Sequence, residues 1–146
     1  MSFLFEPAFG VVDLVKGSVT AIGSWENALT VTAPADIGRL TAELALATPE
    51  KRGVVYVAGD TVTMQRLADI VETLLGRKME RSVNTVPDLR QELQNDPSDV
   101  MRKYRAVFGA GVGVAWDKAS SFNGQRSIPT VSVEEWAKEN LAPTLS

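Results

Sequence analysis

The sequence predicts an α+β fold, a small domain of four to five helices with a few short strands. Three observations carry that expectation. Short β-branched runs alternate with stretches of helical periodicity. Strong capping and turn signals punctuate the chain at short intervals. The 146 residues, 45% hydrophobic and 23% charged, have the size and composition of one globular domain. A chain of this length buries roughly two-thirds of its surface on folding.

The elements follow in order. Phe3 to Val15 is dense in apolar groups, and Pro7 and Gly17 read as the start and stop of a short helix. Ser18–Ile22 and Leu29–Thr32 read as strands, with residues 23–27 (Gly-Ser-Trp-Glu-Asn) as a hairpin loop between them. Pro34 fits the first turn of a helix running through Ile37, Leu40 and Leu44. Gly53–Ala58 is a β-branched run of the kind found in buried strands. Thr63 caps a helix whose apolar positions Leu67, Ile70, Val71 and Leu74 share one face, and Gly76 stops it. Met79–Val86 alternates as a half-buried strand does. Pro87 opens a helix carrying Leu89 and Leu93, and another spans Ser98–Phe108 after Asp96-Pro97. Ser132-Val133-Glu134-Glu135 is a capping box flanked by a Val131/Trp136 staple, which predicts a helix from Val133 to about Leu141.

Composition removes whole classes of chemistry. Cysteine and histidine are both absent, so there is no disulfide, no thiolate nucleophile, no Cys/His zinc site and no Ser-His-Asp triad. The expectation is a chain without metal or cofactor. A net charge of −3 argues against nucleic acid as a partner. No apolar run reaches the ~18 residues of a membrane span, and the N-terminus has no basic leader. A cytoplasmic location is expected.

The segment Thr32-Ala33-Pro34-Ala35-Asp36-Ile37-Gly38-Arg39 resembles the Asp-Ile-Gly-Arg segment of NmrA-like and isoflavone-reductase-like proteins, which are atypical short-chain dehydrogenases. The order that follows is similar to the C-terminal half of that family. It comprises Val54-Val55-Tyr56-Val57, then Gly59-Asp60, a Thr-capped helix ending Leu74-Leu75-Gly76-Arg77, and the closing Ser-Val-Glu-Glu-Trp helix. The resemblance implies the substrate-binding lobe of such proteins. The family's glycine-rich strand–turn–helix for NADP is not seen here, and its catalytic lysine or tyrosine would lie with that half. The glycines at 109, 111 and 113 miss the fingerprint spacing and follow a helical stretch instead of a strand. The span from Met1 to the polar tail 142–146 reads as a free-standing product more than as a cut piece.

Candidate site residues follow from both readings. Phe3, Phe5 and Phe9 are expected either in the core or against a ligand. With the dinucleotide-binding half missing, their segment should line a pocket or a subunit interface, so a homodimer is expected. Tyr104 and Arg105, with Met101 and Phe108, lie on the helix before the glycines, where Gly111 lets a flat ligand approach the backbone. Asp117 beside Trp116, and Asp13 and Lys16 within the first apolar stretch, are the acid–base candidates. Without imidazole, a working acid or base must be a carboxylate raised, or a lysine or tyrosine lowered, by burial. Each has a plainer reading: Asp117 as a loop carboxylate beside Lys118, and Asp13 with Lys16 as a surface pair. Trp25 and Glu26 in the loop are further binding candidates. Asp36 in the first turn of its helix is expected to be structural.

The function expected is cofactor-independent isomerisation, cyclisation or addition on a hydrophobic aromatic or polyketide-like molecule of secondary metabolism. Catalysis would fall to Asp13, Lys16, Tyr104 or Asp117. The alternatives are a non-catalytic binding or regulatory module, and the isolated substrate-binding half of an NADPH-dependent reductase.

Overall fold

The computed structural model describes residues 1–47 and 53–141; the polar tail at 142–146 lies outside the described residues. The strands are β1 (Val12–Asp13), β2 (Ser18–Ile22), β3 (Ala28–Val31), β4 (Asp60–Thr63) and β5 (Glu80–Asn84). The helices are α1 (Pro34–Ala47), α2 (Met64–Leu75), α3 (Val86–Asn95), α4 (Val100–Ala110), α5 (Phe122–Gln125) and α6 (Val133–Leu141). The α+β class is as expected. The sixth helix is the four-residue α5, too short to show a period. The chain forms two compact units: Ser2–Leu29 with Val62–Ala115, and Met1 with Thr30–Thr61 and Trp116–Ser146.

The first of these units is built on the sheet β1-β2-β5. β1 pairs antiparallel with β2, Val12 opposite Val19, and β2 pairs parallel with β5 from Ser18↔Glu80 to Ile22↔Asn84. Parallel neighbours need a crossover element, and α2 immediately precedes β5 and packs on β2. Its fit is legible in the sequence. Thr63 accepts a hydrogen bond from the Arg66 N–H, Gly76 closes the helix at φ 61°, and Leu67, Ala68, Ile70 and Val71 are buried. Each large apolar side chain buried this way contributes roughly 1.5–3 kcal/mol. α3 begins at a reciprocal capping box between Thr85 and Asp88 and packs against α4.

A buried carboxylate braces α2 to β5. Glu72, with only 7% of its side chain exposed, accepts from Arg81 Nε at 2.9 Å, Lys78 Nζ at 2.8 Å and the Met79 N–H at 3.2 Å. Arg81 also reaches Asp69 at 2.7 Å. The Arg81 guanidinium, then Lys78, hold the Glu72 carboxyl down at about 2. Arg81 is raised in return, chiefly by Glu72.

The other unit is organised by buried polar side chains that meet isolated backbone groups. Asn123, fully buried, accepts from the Ala58 N–H at 2.9 Å and donates to the Ala58 carbonyl at 2.8 Å. Asp36 accepts from the Val131 N–H at 2.8 Å and from Arg39, which bears out its structural reading. Asp60 accepts from the Val133 N–H at 2.9 Å at the start of α6. Ser132 and Glu135 complete the capping box expected there, and α6 has the expected bounds.

Four expectations need correction. Phe3–Val15 is not a helix: Ser2–Phe5 is a 3-10 turn, Gly10 takes φ 71°, and Val12 enters β1. Left-handed Gly10 and the β-branched pair Val11-Val12 favour pairing with β2 over helix. Residues 23–27 do not close a hairpin, because β2 pairs with β1 and β5 whereas β3 pairs with β4. Gly53–Ala58 forms no strand: Gly53 is a bend at φ 98°, and Val54–Ala58 joins no ladder. Its carbonyls are met by Asn123, by the Phe122 N–H at Tyr56 (2.9 Å) and by the Trp116 indole at Val57 (3.2 Å), with Val54 and Tyr56 exposed. β5 is also more exposed than the half-buried strand expected, since Arg81 uses it to reach Glu72.

Candidate functional site

Asp99 starts the element that carries the site. Its carboxylate accepts from the Met101 N–H at 2.7 Å and the Arg102 N–H at 3.2 Å, capping α4. Met101, Tyr104 and Phe108 then fall at helical spacing on one face. Phe3 from the 3-10 turn and Phe9 beyond it meet that face. The five side chains line a cavity of about 270 Å³. Phe3 stacks on Phe108 at 5.6 Å between ring centroids, 18° from parallel, and Tyr104 stacks on Phe108 at 6.2 Å and 22°. Phe9 stands edge-on to both phenylalanines, at 5.0 Å from Phe3 and 6.0 Å from Phe108. These are the offset and edge-to-face geometries that aromatic quadrupoles prefer, each worth ~0.5–1.5 kcal/mol beyond burial. Phe9 is buried, whereas Tyr104 is 52% and Met101 39% exposed, so the cavity opens to solvent on their side.

The last turn of α4, which carries Phe108, is anchored by a residue that sequence reasoning did not single out. The Asn27 side-chain amide donates to the Phe108 carbonyl at 2.9 Å and to the Ile22 carbonyl at 2.8 Å. Gly111 closes α4 in the left-handed region at φ 71°, and a Cβ there would lie 2.9 Å from Asn27 Oδ1. Gly109 is tighter still: its Cβ would lie 2.2 Å from Leu89 Cδ1. The glycines therefore seat the end of α4 against Asn27 and α3, a packing role in place of the expected approach of a ligand to Gly111. They also do not suit a dinucleotide pyrophosphate, because they sit at the carbonyl-bearing, negative end of a helix.

The remaining candidates lie elsewhere. Asp13, half-buried at the end of β1, pairs at 3.6 Å with the exposed Lys16 of the following turn. The Lys16 N–H at 2.8 Å holds the Asp13 carboxyl below its ordinary value. This is the opposite of the elevation expected from an apolar setting. Arg105 is tied to Glu92 at 3.0 Å. Trp25 lies under the Arg81 guanidinium at 5.5 Å. Glu26 is exposed, its carboxyl lowered by its own backbone N–H and then by Ser24. Phe5 is half-buried at the end of the 3-10 turn. Trp116 and Asp117 belong to the other unit. There Trp116 stands 5.1 Å from Tyr56, and Asp117 caps a 3-10 turn by accepting from the Ala119 N–H at 2.9 Å. Lys118 turns to the Gly59 carbonyl at 2.7 Å.

Of the residues named from sequence, Phe3, Phe9, Met101, Tyr104 and Phe108 are thus brought together. Among the described residues no group of three or more carboxylates is placed to hold a metal ion, and no helix is long and apolar enough to cross a membrane.

Fold and site together define an α+β chain with an aromatic-lined cavity. Over 144 residues it is 35% identical to an NmrA-like family domain-containing oxidoreductase of Gibberella moniliformis, a match that covers 95% of this chain and 46% of that protein. That similarity agrees with the resemblance carried by the residues around Asp36 and the closing capping box, and the chain spans about half the length of the curated relative it matches. No family model matches it.

Proposed function

We propose that the chain binds a hydrophobic, aromatic or polyketide-like small molecule in the cavity formed by Phe3, Phe9, Met101, Tyr104 and Phe108. The observation that carries this reading is the cavity itself. Its walls are three phenylalanines, a methionine and a tyrosine, the predominantly apolar lining with sparse polar handles that small-molecule sites have. Met101 supplies a side chain that adapts to ligand shape. Tyr104 is the titratable group at the site, so isomerisation, cyclisation or addition without a cofactor would use its phenol as proton donor or acceptor. Asp13, Lys16 and Asp117 have no comparable setting. The test is turnover of a candidate pathway metabolite by the wild type and by Tyr104→Phe, with binding measured in parallel. A loss of at least ~100-fold in turnover with binding retained supports catalysis by Tyr104. Binding without turnover in either protein supports a non-catalytic module.

A second reading is favoured by the match to just under half of an oxidoreductase. In it the chain is the ligand-binding half of a reductase, and hydride chemistry resides elsewhere. Reduction of the bound compound only when a dinucleotide-binding partner is supplied would favour this reading. The absence of cysteine suits work in the cytoplasm. A homodimer remains part of the proposal, but not through the apolar N-terminal segment, because Leu4, Phe9, Val11 and Val12 are already buried.

A further inference from the structure

Granting that the cavity is the ligand site, we infer that it selects an uncharged, flat aromatic ligand and rejects the carboxylate or phenolate form of the same ring system. None of the five lining residues carries a charge. None of the cations of α4 lines the cavity. Helical spacing of about 100° per residue puts Arg102 and Lys103 on the side of α4 away from Met101, Tyr104 and Phe108. Arg102 is engaged by Asp99 at 3.4 Å and by the Glu92 carbonyl at 2.9 Å. Arg105, closest in angle to the lining face, is held through Nη1 by the Glu92 carboxylate at 3.0 Å; its buried Nε has no hydrogen-bond partner, and the residue does not line the cavity. An anion entering the cavity would shed water without gaining a partner.

The aromatic walls act in the same direction. Ring faces carry the negative part of the quadrupole, so they favour a neutral ring in offset or edge-on contact and disfavour an anion above them. Phe108 already accepts two such stacked neighbours, Phe3 and Tyr104, which sets the plane a further flat ring can adopt. The mouth continues apolar: Val100 and Val107, one turn either side of Tyr104 on α4, are 54% and 57% exposed. A neutral arene can therefore extend past Tyr104 onto these valines.

The experiment uses 2-methylnaphthalene and 2-naphthoate as probes, the same ring system with and without a negative charge, titrated into the full chain and followed by NMR shifts of the Met101 methyl group and of the backbone amides. The expected result is saturable binding of 2-methylnaphthalene at least about tenfold tighter than that of 2-naphthoate, a difference of ~1.4 kcal/mol. Met101→Lys, which places an ammonium at the cavity edge, should narrow or reverse the preference. Equal or tighter binding of 2-naphthoate by the wild type at these residues would overturn the inference and leave the cavity as a ligand site. Binding of neither probe would overturn the ligand-site reading as well. Self-association that covers Phe108 and is not displaced by 2-methylnaphthalene would also overturn both, by assigning the face to a second copy of the chain.

Discussion

The side chain of Asn27 donates to the carbonyl of Phe108 at 2.9 Å, and this bond links the loop after β2 to the last turn of α4. Phe108 is the ring against which Phe3, Phe9 and Tyr104 all pack. The geometry of the cavity therefore depends on an amide that touches none of its space. Asn27→Ala removes both of its donor contacts and should cost about 1–3 kcal/mol, the usual penalty for orphaned acceptors. Urea unfolding with unchanged m checks it. An Asn27→Ala protein as stable as wild type would show that Phe108 is held by ring packing alone.

The end of α4 makes a sharper steric prediction. At Gly109 a methyl group would meet Leu89 Cδ1 at 2.2 Å, whereas Gly113 has open space around its missing Cβ. Gly109→Ala should destabilise by about 1–3 kcal/mol, the range for overpacking. A second substitution, Leu89→Ala, should recover part of that loss relative to Leu89→Ala alone. A double-mutant cycle with no coupling between these two positions would contradict the packing described.

In the other unit, Asn123 and Ala58 exchange two hydrogen bonds in a fully buried setting. Asn123→Leu keeps the branched shape but strands the buried Ala58 N–H, while the Ala58 carbonyl keeps the Thr130 hydroxyl at 3.3 Å; the expected cost is about 1–3 kcal/mol. Thermal unfolding is the measurement, and a midpoint equal to that of wild type would contradict a structural role for the Asn123 amide.

Acid stability should depend on Glu72. Its folded-state carboxyl titrates at about 2 against an ordinary 4.5, depressed first by Arg81 and then by Lys78. A depressed carboxyl contributes stability that is present above the unfolded value and is lost as pH falls through the folded one. The brace should therefore weaken between about pH 4.5 and about pH 2. Asp69, lowered mainly by the same arginine, acts in the same direction. Urea midpoints measured across that window should fall more steeply for wild type than for Glu72→Gln. Parallel slopes would remove Glu72 from the account.

The chain by itself should not bind NADPH at micromolar concentrations. The cluster at Gly109–Gly113 lies at the carbonyl end of α4, where the helix dipole repels phosphate. A low-micromolar dissociation constant by calorimetry would contradict this reading of the glycines.

The parts of this structure that sequence made legible are those fixed by local chemistry. Thr63 and Gly76 bracket α2, Ser132 and Glu135 open α6, and the apolar spacing of α4 puts Met101, Tyr104 and Phe108 on one face. What stayed hidden depends on partners distant in sequence. Nothing near Gly53–Ala58 indicates that Asn123, Phe122 and Trp116 would take the place of a neighbouring strand. Asn27 reads locally as a turn residue, and only the fold brings it 2.9 Å from a carbonyl 81 positions away. Apolar residues flank Asp13 and Lys16 in sequence, but the left-handed Gly10 and Gly17 turn that stretch into a strand and an exposed turn. Apolar neighbours in sequence bury a charge only when the chain also folds over it.

The central claim is that the aromatic cavity on α4 holds a hydrophobic ligand. Its most direct test is a methyl- and amide-resolved NMR titration of the full chain with 2-methylnaphthalene, repeated on Phe108→Ala. Saturable shifts confined to Phe3, Phe9, Met101, Tyr104 and their neighbours, abolished in a folded Phe108→Ala protein, are the predicted result. Shifts that leave these residues unmoved, or that persist unchanged without the Phe108 ring, would contradict it.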